Sequence, residues 1–249
     1  MKRNFLSVLL LFSTLLLSAQ ESKYDFFETK KEKVKVDYHL TTAWRLYAGY
    51  VQDWQNSPSV SYPDMYLHGG KLGAAIDFNL PYNLALQTGL SYALTYGRHT
   101  QHWASASSEY VQVETIGHKV LKHTLNIPVL LFYRQELWEK LAMVVYGGPQ
   151  LQVGLFQYDN QSLNLSEPTL QHLHDIGVVT DSYNRYAGEQ LPVNLQMSVG
   201  LGLEWDRYRL QGGYDFGLLN MVRRYPVNTA GGNSYMREWS WNVCFVYKF

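Results

Sequence analysis

The residues best suited to chemistry in this sequence are histidines and serines that lie outside its periodic segments. His172 and His174 are two residues apart and Asp175 follows, so an extended backbone would present both imidazoles on one side with a carboxylate nearby. A metal ion could bind such a group, but two histidines without a fixed scaffold are weak grounds for a metal site. We therefore interpret this segment as a solvated polar loop and predict neither a metal nor another cofactor.

A second group combines nucleophile, base and carboxylate types within one segment: His99, His102, Ser105, Ser107, Ser108 and Glu109. Catalysis requires these types within hydrogen-bond reach of one another. No local motif ties them to a mechanism, so we predict that the protein is not an enzyme, with a rim-sited hydrolase or acyltransferase as the weaker alternative. The only cysteine, Cys244, has no second thiol to pair with and is interpreted as a packing residue.

Composition limits the classes of protein to consider. The 249 residues include 21 basic and 21 acidic side chains and carry no net charge, which excludes a nucleic-acid partner held by a basic surface. Charged residues make up 17% of the chain, below the roughly 25% of soluble domains, and aromatic residues reach 15%. This balance excludes disorder and favours a fold rich in apolar surface.

The first 20 residues have the three parts of a secretory signal peptide. Lys2 and Arg3 precede an apolar run over residues 5–17, and a small polar stretch over 18–20 follows. The run is too short and too interrupted for a transmembrane helix. We predict a cleaved signal peptide at 1–20, a periplasmic lead-in at 21–36 and one folded domain at 37–249.

Strict alternation of apolar and polar residues identifies the elements of that domain. Over residues 193–205 every odd position is apolar and every even position is polar or glycine, a period of two that no helix carries. The last residues of the chain repeat the pattern. Eight strands are predicted, at residues 40–53, 66–79, 84–97, 118–133, 141–156, 193–205, 208–220 and 238–249, and the facing of the fourth and fifth is the least regular.

The connections alternate between short and long, so that turns and loops fall on opposite ends. Short ones lie at 80–83, 134–140 and 206–207, and long ones at 54–65, 98–117, 157–190 and 221–236. Outer-membrane barrels have this asymmetry. The sequence therefore predicts an all-β fold, an eight-stranded antiparallel up-and-down transmembrane β-barrel with short periplasmic turns and long external loops, integral to the outer membrane.

The two faces of the predicted strands differ in chemistry. One face is apolar and exceeds what a narrow core could hold, which favours contact with lipid over a lipocalin-like barrel with an apolar interior. The other face carries charges that we expect to pair within a closed lumen: Arg45, Lys71, Asp77, Lys122, Glu204, Arg209, Asp215, Glu238 and Lys248. A narrow solute pore stays an alternative, opposed by the small strand number.

Aromatic residues on the apolar face are expected at the membrane interfaces, where amphipathic rings prefer to lie. These are Trp205, Tyr208, Trp239 and Trp241, with Tyr247 and Phe249 near the periplasmic end. A two-residue turn at 206–207 would place Glu204 opposite Arg209 inside and Trp205 opposite Tyr208 outside. Pro128 interrupts the fourth strand, where a closed barrel offers no free edge, so we expect a β-bulge there.

Two motifs add a resemblance to a known family. Residues 125–133, Leu-Asn-Ile-Pro-Val-Leu-Leu-Phe-Tyr, resemble the Ile-Pro strand of the PorT-like outer-membrane β-barrel family of Bacteroidetes, and residues 213–220, Gly-Tyr-Asp-Phe-Gly-Leu-Leu-Asn, are similar to its seventh strand. The terminal Phe245, Tyr247 and Phe249 resemble the signal recognised by barrel-assembly machinery. The resemblance implies an eight-stranded outer-membrane barrel without catalytic residues, in a family with links to protein secretion and surface attachment.

The connection over 157–190 is long enough to be functional. It contains apolar residues among polar ones, namely Leu163, Leu165, Leu170, Leu173, Ile176, Val178 and Val179. These residues predict either a docking surface for a protein partner or a lid folded over the barrel's own mouth. We expect a structural or interaction role carried by the external loops.

Overall fold

The structure is a computed structural model, and it describes residues 41–56, 64–106, 111–164, 182–188, 190–222 and 235–249. The predicted signal peptide and lead-in lie outside the described residues. Nearly all described residues belong to strands: β1 (Thr42–Asn56), β2 (Met65–Leu80), β3 (Leu84–Ala106), β4 (Val111–Trp138), β5 (Leu141–Asn164), β6 (Ser182–Asn184), β7 (Val193–Trp205), β8 (Tyr208–Gly217) and β9 (Arg237–Lys248). A single-turn helix, α1 (Arg185–Gly188), follows β6. Within this part of the chain no helix has the length and hydropathy to cross a membrane.

Eight strands form a closed ring in which every neighbouring pair is antiparallel. The order is β4-β3-β2-β1-β9-β8-β7-β5, and pairing between β4 and β5 closes it. The short β6 pairs with β5 at Tyr158, Asp159 and Asn160 and is not one of the eight strands of the ring. The predicted all-β, eight-stranded antiparallel barrel is confirmed.

Short turns gather at one end of the barrel, hereafter the turn end. They join β2 to β3, β4 to β5 and β7 to β8. Tyr82, Asn83 and Asp206 have φ values of 63°, 61° and 53° there, the left-handed backbone that tight turns use and that Asn and Asp tolerate. The predicted pairing at the last turn is confirmed, with Glu204 opposite Arg209 and Trp205 opposite Tyr208.

Several predicted loop boundaries were wrong because strands run well beyond the apolar belt. Residues 98–106 and 111–117 belong to β3 and β4, residues 134–138 to β4, and residues 157–164 to β5, although all were predicted as connections. β1 likewise reaches Asn56, whereas β8 ends at Gly217 and not at residue 220. Backbone pairing continues in these extensions, although most of their residues are polar and the regular alternation of the belt is largely lost.

Side chains alternate between an inward and an outward face throughout the ring. On β4 and β5 the inward face is itself partly apolar, with Leu130, Phe132, Val144 and Tyr146 packed in one cluster. The rings of Phe132 and Tyr146 stack at 4.8 Å. Because both faces of these strands are apolar, hydropathy alone did not determine their facing.

Pro128 does not produce the expected bulge. Thr88 pairs with Val129 and Ser91 with Asn126, so the register with β3 is the same on both sides of Pro128. Proline lacks the N–H of a ladder bond, and the pairing with β3 lapses locally instead of gaining an inserted residue. The register shift in this part of β4 lies between His123 and Thr124, against β5.

Candidate functional site: the filled lumen and its mouth

The lumen near the turn end is filled by arginines around two carboxylates. Arg45 Nε donates to Asp77 Oδ2, and its Nη1 lies 3.2 Å from Glu204 Oε2. Arg209 donates to the same Glu204 oxygen from Nε at 2.9 Å and Nη2 at 2.7 Å. All four side chains are buried. We call this group the arginine cluster.

Three further side chains, Gln87, Phe132 and Arg134, contact the arginine cluster. Gln87 Nε2 donates to Asp77 Oδ1 at 2.5 Å, and the Arg209 guanidinium lies 4.8 Å from the centre of the Phe132 ring. At the barrel rim Arg134 Nε donates to Glu204 Oε1 at 3.1 Å. Buried charges are stable only when paired and hydrogen-bonded. These contacts pair both carboxylates, while Arg45 Nη1 has only its ion pair with Glu204.

The middle of the lumen holds a small polar cavity of about 30 Å³, lined by Tyr47, Lys71, Tyr146, Asp215 and neighbouring polar side chains. Asp215 Oδ2 accepts hydrogen bonds from Ser240 Oγ at 3.0 Å and Asn242 Nδ2 at 3.2 Å. Within the described chain no carboxylate lies within ion-pair distance of Lys71. A cavity of this size has room for about one water molecule, and most polar side chains that line it, Lys71 and Asp215 among them, are buried.

Towards the loop end the lumen is crossed by a network centred on Lys122, which is fully buried. Lys122 Nζ donates to Asp53 Oδ2 at 2.9 Å and to Glu238 Oε1. Gln152 Nε2 donates to Glu238 Oε1 at 2.7 Å, and Thr95 Oγ1 donates to Asp53 Oδ2 at 3.2 Å. This network, the lysine cluster, connects β1, β3, β4, β5 and β9 across the barrel interior.

The mouth at the loop end is occupied by β6 and α1, residues 182–188, which we call the mouth plug. Arg185 and Tyr186 of the plug are buried at 1% and 6% exposure. Arg185 Nε donates to Asp159 Oδ2 at 3.0 Å, and His118 Nδ1 lies 2.9 Å from the same oxygen. The Tyr186 ring fills the space beside Gly154, where an added Cβ would come within 2.3 Å of it.

Asp159 lies on β5 beyond the apolar belt, since the outward residues turn polar at the neighbouring Asn160. Burial raises the pKa of Asp159, but the His118 hydrogen bond and the Arg185 guanidinium outweigh it, so this pKa lies below its ordinary value. The carboxylate therefore stays charged and holds the plug at neutral pH.

Of the nine charged residues predicted in the lumen, eight are buried there, and Lys248 lies half-buried at the turn end without an ion pair to a described residue. Arg45, Asp77, Glu204 and Arg209 lie together, Glu238 belongs to the lysine cluster, and Lys71 lies near Asp215. Asp53, Asp159 and Arg185 are also buried in ion pairs, but they were not predicted from the sequence. Asp53 shares the period of two with Arg45 and could have been found, whereas Asp159 and Arg185 lie in a stretch without alternation.

Two aromatic girdles lie on the outward face, one near each end of the barrel. At the turn end Tyr208 contacts Phe245 at 5.6 Å and Tyr247 at 5.4 Å, Tyr247 contacts Phe249 at 5.0 Å, and Trp205 is 64% exposed beside them. The second girdle is built from Tyr50, Trp54, Tyr66, Trp239 and Trp241. The predicted interface residues thus divide between the girdles, Trp205 and Tyr208 in the first, Trp239 and Trp241 in the second.

The distance between the girdles fits an outer-membrane belt. Trp44 and Trp54 face outward at the two ends of β1, separated by roughly 33 Å along the strand at about 3.3 Å per residue. A strand tilt of about 40° reduces this to roughly 25 Å along the barrel axis, the height of a barrel's apolar band. Between the girdles most outward side chains are apolar, including Leu72 at 61% and Leu201 at 65% exposure, and His123 faces outward hydrogen-bonded to Tyr92.

Most of the other residues considered for chemistry lie outside the described residues. His172, His174 and Asp175 lie outside the described residues, as do Ser107, Ser108 and Glu109. His99 belongs to β3, and His102 and Ser105 lie in its outer extension. The seven apolar residues noted in the connection over 157–190 also fall outside the described side chains.

No protein-family model and no curated protein matches this sequence. The similar solved structures are small outer-membrane β-barrel proteins. Neisserial surface protein A is 10% identical with a TM-score of 0.39, over 84% of this chain and 99% of that chain. Ail, the attachment invasion locus protein of Yersinia pestis, is 12% identical with a TM-score of 0.35, over 84% and 100%. OprG of Pseudomonas aeruginosa is 11% identical with a TM-score of 0.32, over 85% and 97%. At these identities and TM-scores the likeness carries no function to this chain.

Proposed function

We propose that this chain is an integral outer-membrane β-barrel protein without enzymatic activity, whose role is structural or in protein interaction at the loop end. The observation that carries the proposal is the outward apolar belt between two aromatic girdles, around a lumen of buried, paired charges. A soluble barrel would have the reverse arrangement, because water favours a polar outer face.

A filled lumen argues for this role over a narrow solute pore. The arginine cluster, the lysine cluster and the mouth plug lie at successive levels of the barrel interior. Opening a passage would separate buried ion pairs, each of which costs several kcal/mol to break. The loop end is then the part available to partners, and the turn end faces the periplasm.

The PorT-like resemblance extends the proposal to protein secretion or surface attachment. It rests on the Ile-Pro segment of β4 and the β8 motif, and it assigns no catalytic or cofactor-binding residue. During biogenesis the partner is barrel-assembly machinery, which would recognise Phe245, Tyr247 and Phe249 on the outward face of the last strand.

Fractionation and conductance together test the membrane role. The mature chain should separate with the outer membrane and migrate differently on gels with and without boiling. In planar bilayers it should give no steady conductance. Recovery as a soluble periplasmic monomer would overturn the proposal, and a stable open channel would favour the pore instead.

A loop replacement tests the interaction role. Replacing residues 165–181 by a short Gly-Ser linker retains all of β5 and the mouth plug, so the barrel should still assemble. Proteins captured from outer membranes by the full chain should be reduced or lost with the shortened one. An unchanged partner list would remove this segment from the proposed interaction.

A further inference from the structure

A row of basic and polar side chains lies directly above the apolar belt on β3 to β6. In the last belt row, Tyr96 pairs with Leu121, and Leu121 with Tyr158; these side chains are 40%, 37% and 50% exposed. One step towards the loop end, Arg98 pairs with Lys119, Lys119 with Asn160, and Asn160 with Ser182. All four side chains of this second row are exposed. The change from apolar to basic takes place within one step of the strand pattern.

Arg98 and Lys119 are like charges placed directly opposite each other, with Cβ atoms about 5 Å apart in such a pair. That arrangement destabilises a sheet unless an anion lies between the two groups. In the described part of the chain neither residue has an ion pair, and the next outward row is Thr100, Gly117 and Ser162, without a carboxylate. Arg98 is held in place by donating from Nε to Tyr96 Oη, with its guanidinium 5.6 Å from that ring centre.

The basic residues at the turn end have a different setting. Lys140 follows Glu139 in the β4–β5 turn, and Arg207 follows Asp206 in the β7–β8 turn. Arg207 is hydrogen-bonded to Tyr247 much as Arg98 is to Tyr96, so the two arginines differ mainly in whether an acidic neighbour is present. Among the described residues, Arg98 and Lys119 are thus an outward-facing basic pair without an acidic neighbour, at the loop-end edge of the belt.

We propose that Arg98 and Lys119 form a binding site for the phosphate of an anionic lipid headgroup, in the leaflet at the loop end. The headgroup of a lipid whose acyl chains lie against Tyr96, Leu121 and Tyr158 reaches the height of this row. Arg supplies a fork of donors and Lys a point charge, a combination suited to phosphate oxygens. This inference rests on the membrane location proposed above.

Native mass spectrometry of the detergent-purified full chain, titrated with phosphatidylglycerol, phosphatidylcholine or inorganic phosphate, tests the site. The wild type should retain phosphatidylglycerol more tightly than phosphatidylcholine, by about fivefold for each basic group near the headgroup. The variant Arg98→Gln/Lys119→Gln should lose this preference, and Arg98→Lys/Lys119→Arg should keep most of it. The matched control Lys140→Gln/Arg207→Gln removes the same charge at the turn end and should bind as the wild type does.

The gel shift on boiling monitors the folding of each variant. Both substituted positions are exposed and outside the belt, so every variant should fold. If Arg98→Gln/Lys119→Gln keeps the wild-type preference, or if inorganic phosphate alone displaces the lipid, the inference is overturned. A heat-modifiable wild type without any preference overturns it too and leaves the proposed membrane role intact. A chain that is not heat-modifiable overturns both.

Discussion

At the scale of single residues, Lys122 is the side chain on which the lysine cluster depends. It is fully buried between Asp53 and Glu238. Lys122→Met would leave two carboxylates buried without a cation, so we expect a loss of about 3–5 kcal/mol in the free energy of unfolding. Urea unfolding of the barrel in lipid vesicles, followed by tryptophan fluorescence, measures the loss.

A matched variant separates the charge effect from packing. Lys122→Met combined with Asp53→Asn and Glu238→Gln removes the three charges together and keeps their approximate volumes. Its stability should lie much closer to the wild type, since no buried charge is left unpaired. Equal losses in the single and the triple variant would contradict the role given to the lysine cluster.

At the scale of elements, the mouth plug depends on a glycine. Gly154→Ala would place a methyl group 2.3 Å from the Tyr186 ring, so we expect the plug to leave the mouth while the barrel still assembles. Limited proteolysis within residues 182–191 should become faster by an order of magnitude or more. Gly147→Ala on the same strand is the control, because its new Cβ would meet its nearest neighbour at an acceptable 3.4 Å. Equal cleavage in both variants would argue against a docked plug.

Acid should also release the plug. The pKa of Asp159 is lowered on folding, so its contribution to stability is present above the ordinary carboxyl pKa and is lost as the pH falls through the lowered value. Backbone amides of residues 182–188 should lose protection from hydrogen exchange in acid before the barrel strands do. In Asp159→Asn they should be less protected at neutral pH and lack this acid step. The same pH dependence in both proteins would show that another group controls the plug.

The predictability of each element follows from its surroundings. β7 lies within the belt, so its alternation between lipid-facing Leu and inward Asn, Gln and Glu gave its limits and its pairing with β8. The extensions of β3, β4 and β5 leave the belt, where hydropathy no longer distinguishes the faces. The ion pair of Asp159 with Arg185 joins residues 26 positions apart through a short helix and could not be found by periodicity.

At the scale of the whole molecule, the last strand joins the two ends of the chain by pairing with β1, and it carries the aromatic end of the sequence. Deleting residues 247–249 removes Tyr247, which contacts Tyr208 in the turn-end girdle, and Phe249, which contacts Tyr247. Assembly should be impaired more strongly than by deleting an equal length within residues 21–35. The heat-modifiable fraction in isolated outer membranes measures assembly. Equal impairment by the two deletions would remove the assembly role from these residues.

The outward face of the barrel is expected to lie in lipid, and depth-dependent quenching measures this directly. In a Cys244→Ser background, Leu201→Cys and Ser162→Cys each place one fluorophore on the outward face, within the belt and beyond it respectively. Vesicles of brominated phosphatidylcholine should quench the label at position 201 strongly and leave the label at 162 open to aqueous iodide. Quenching of the label at 201 by iodide, with no effect of brominated lipid, would contradict the account.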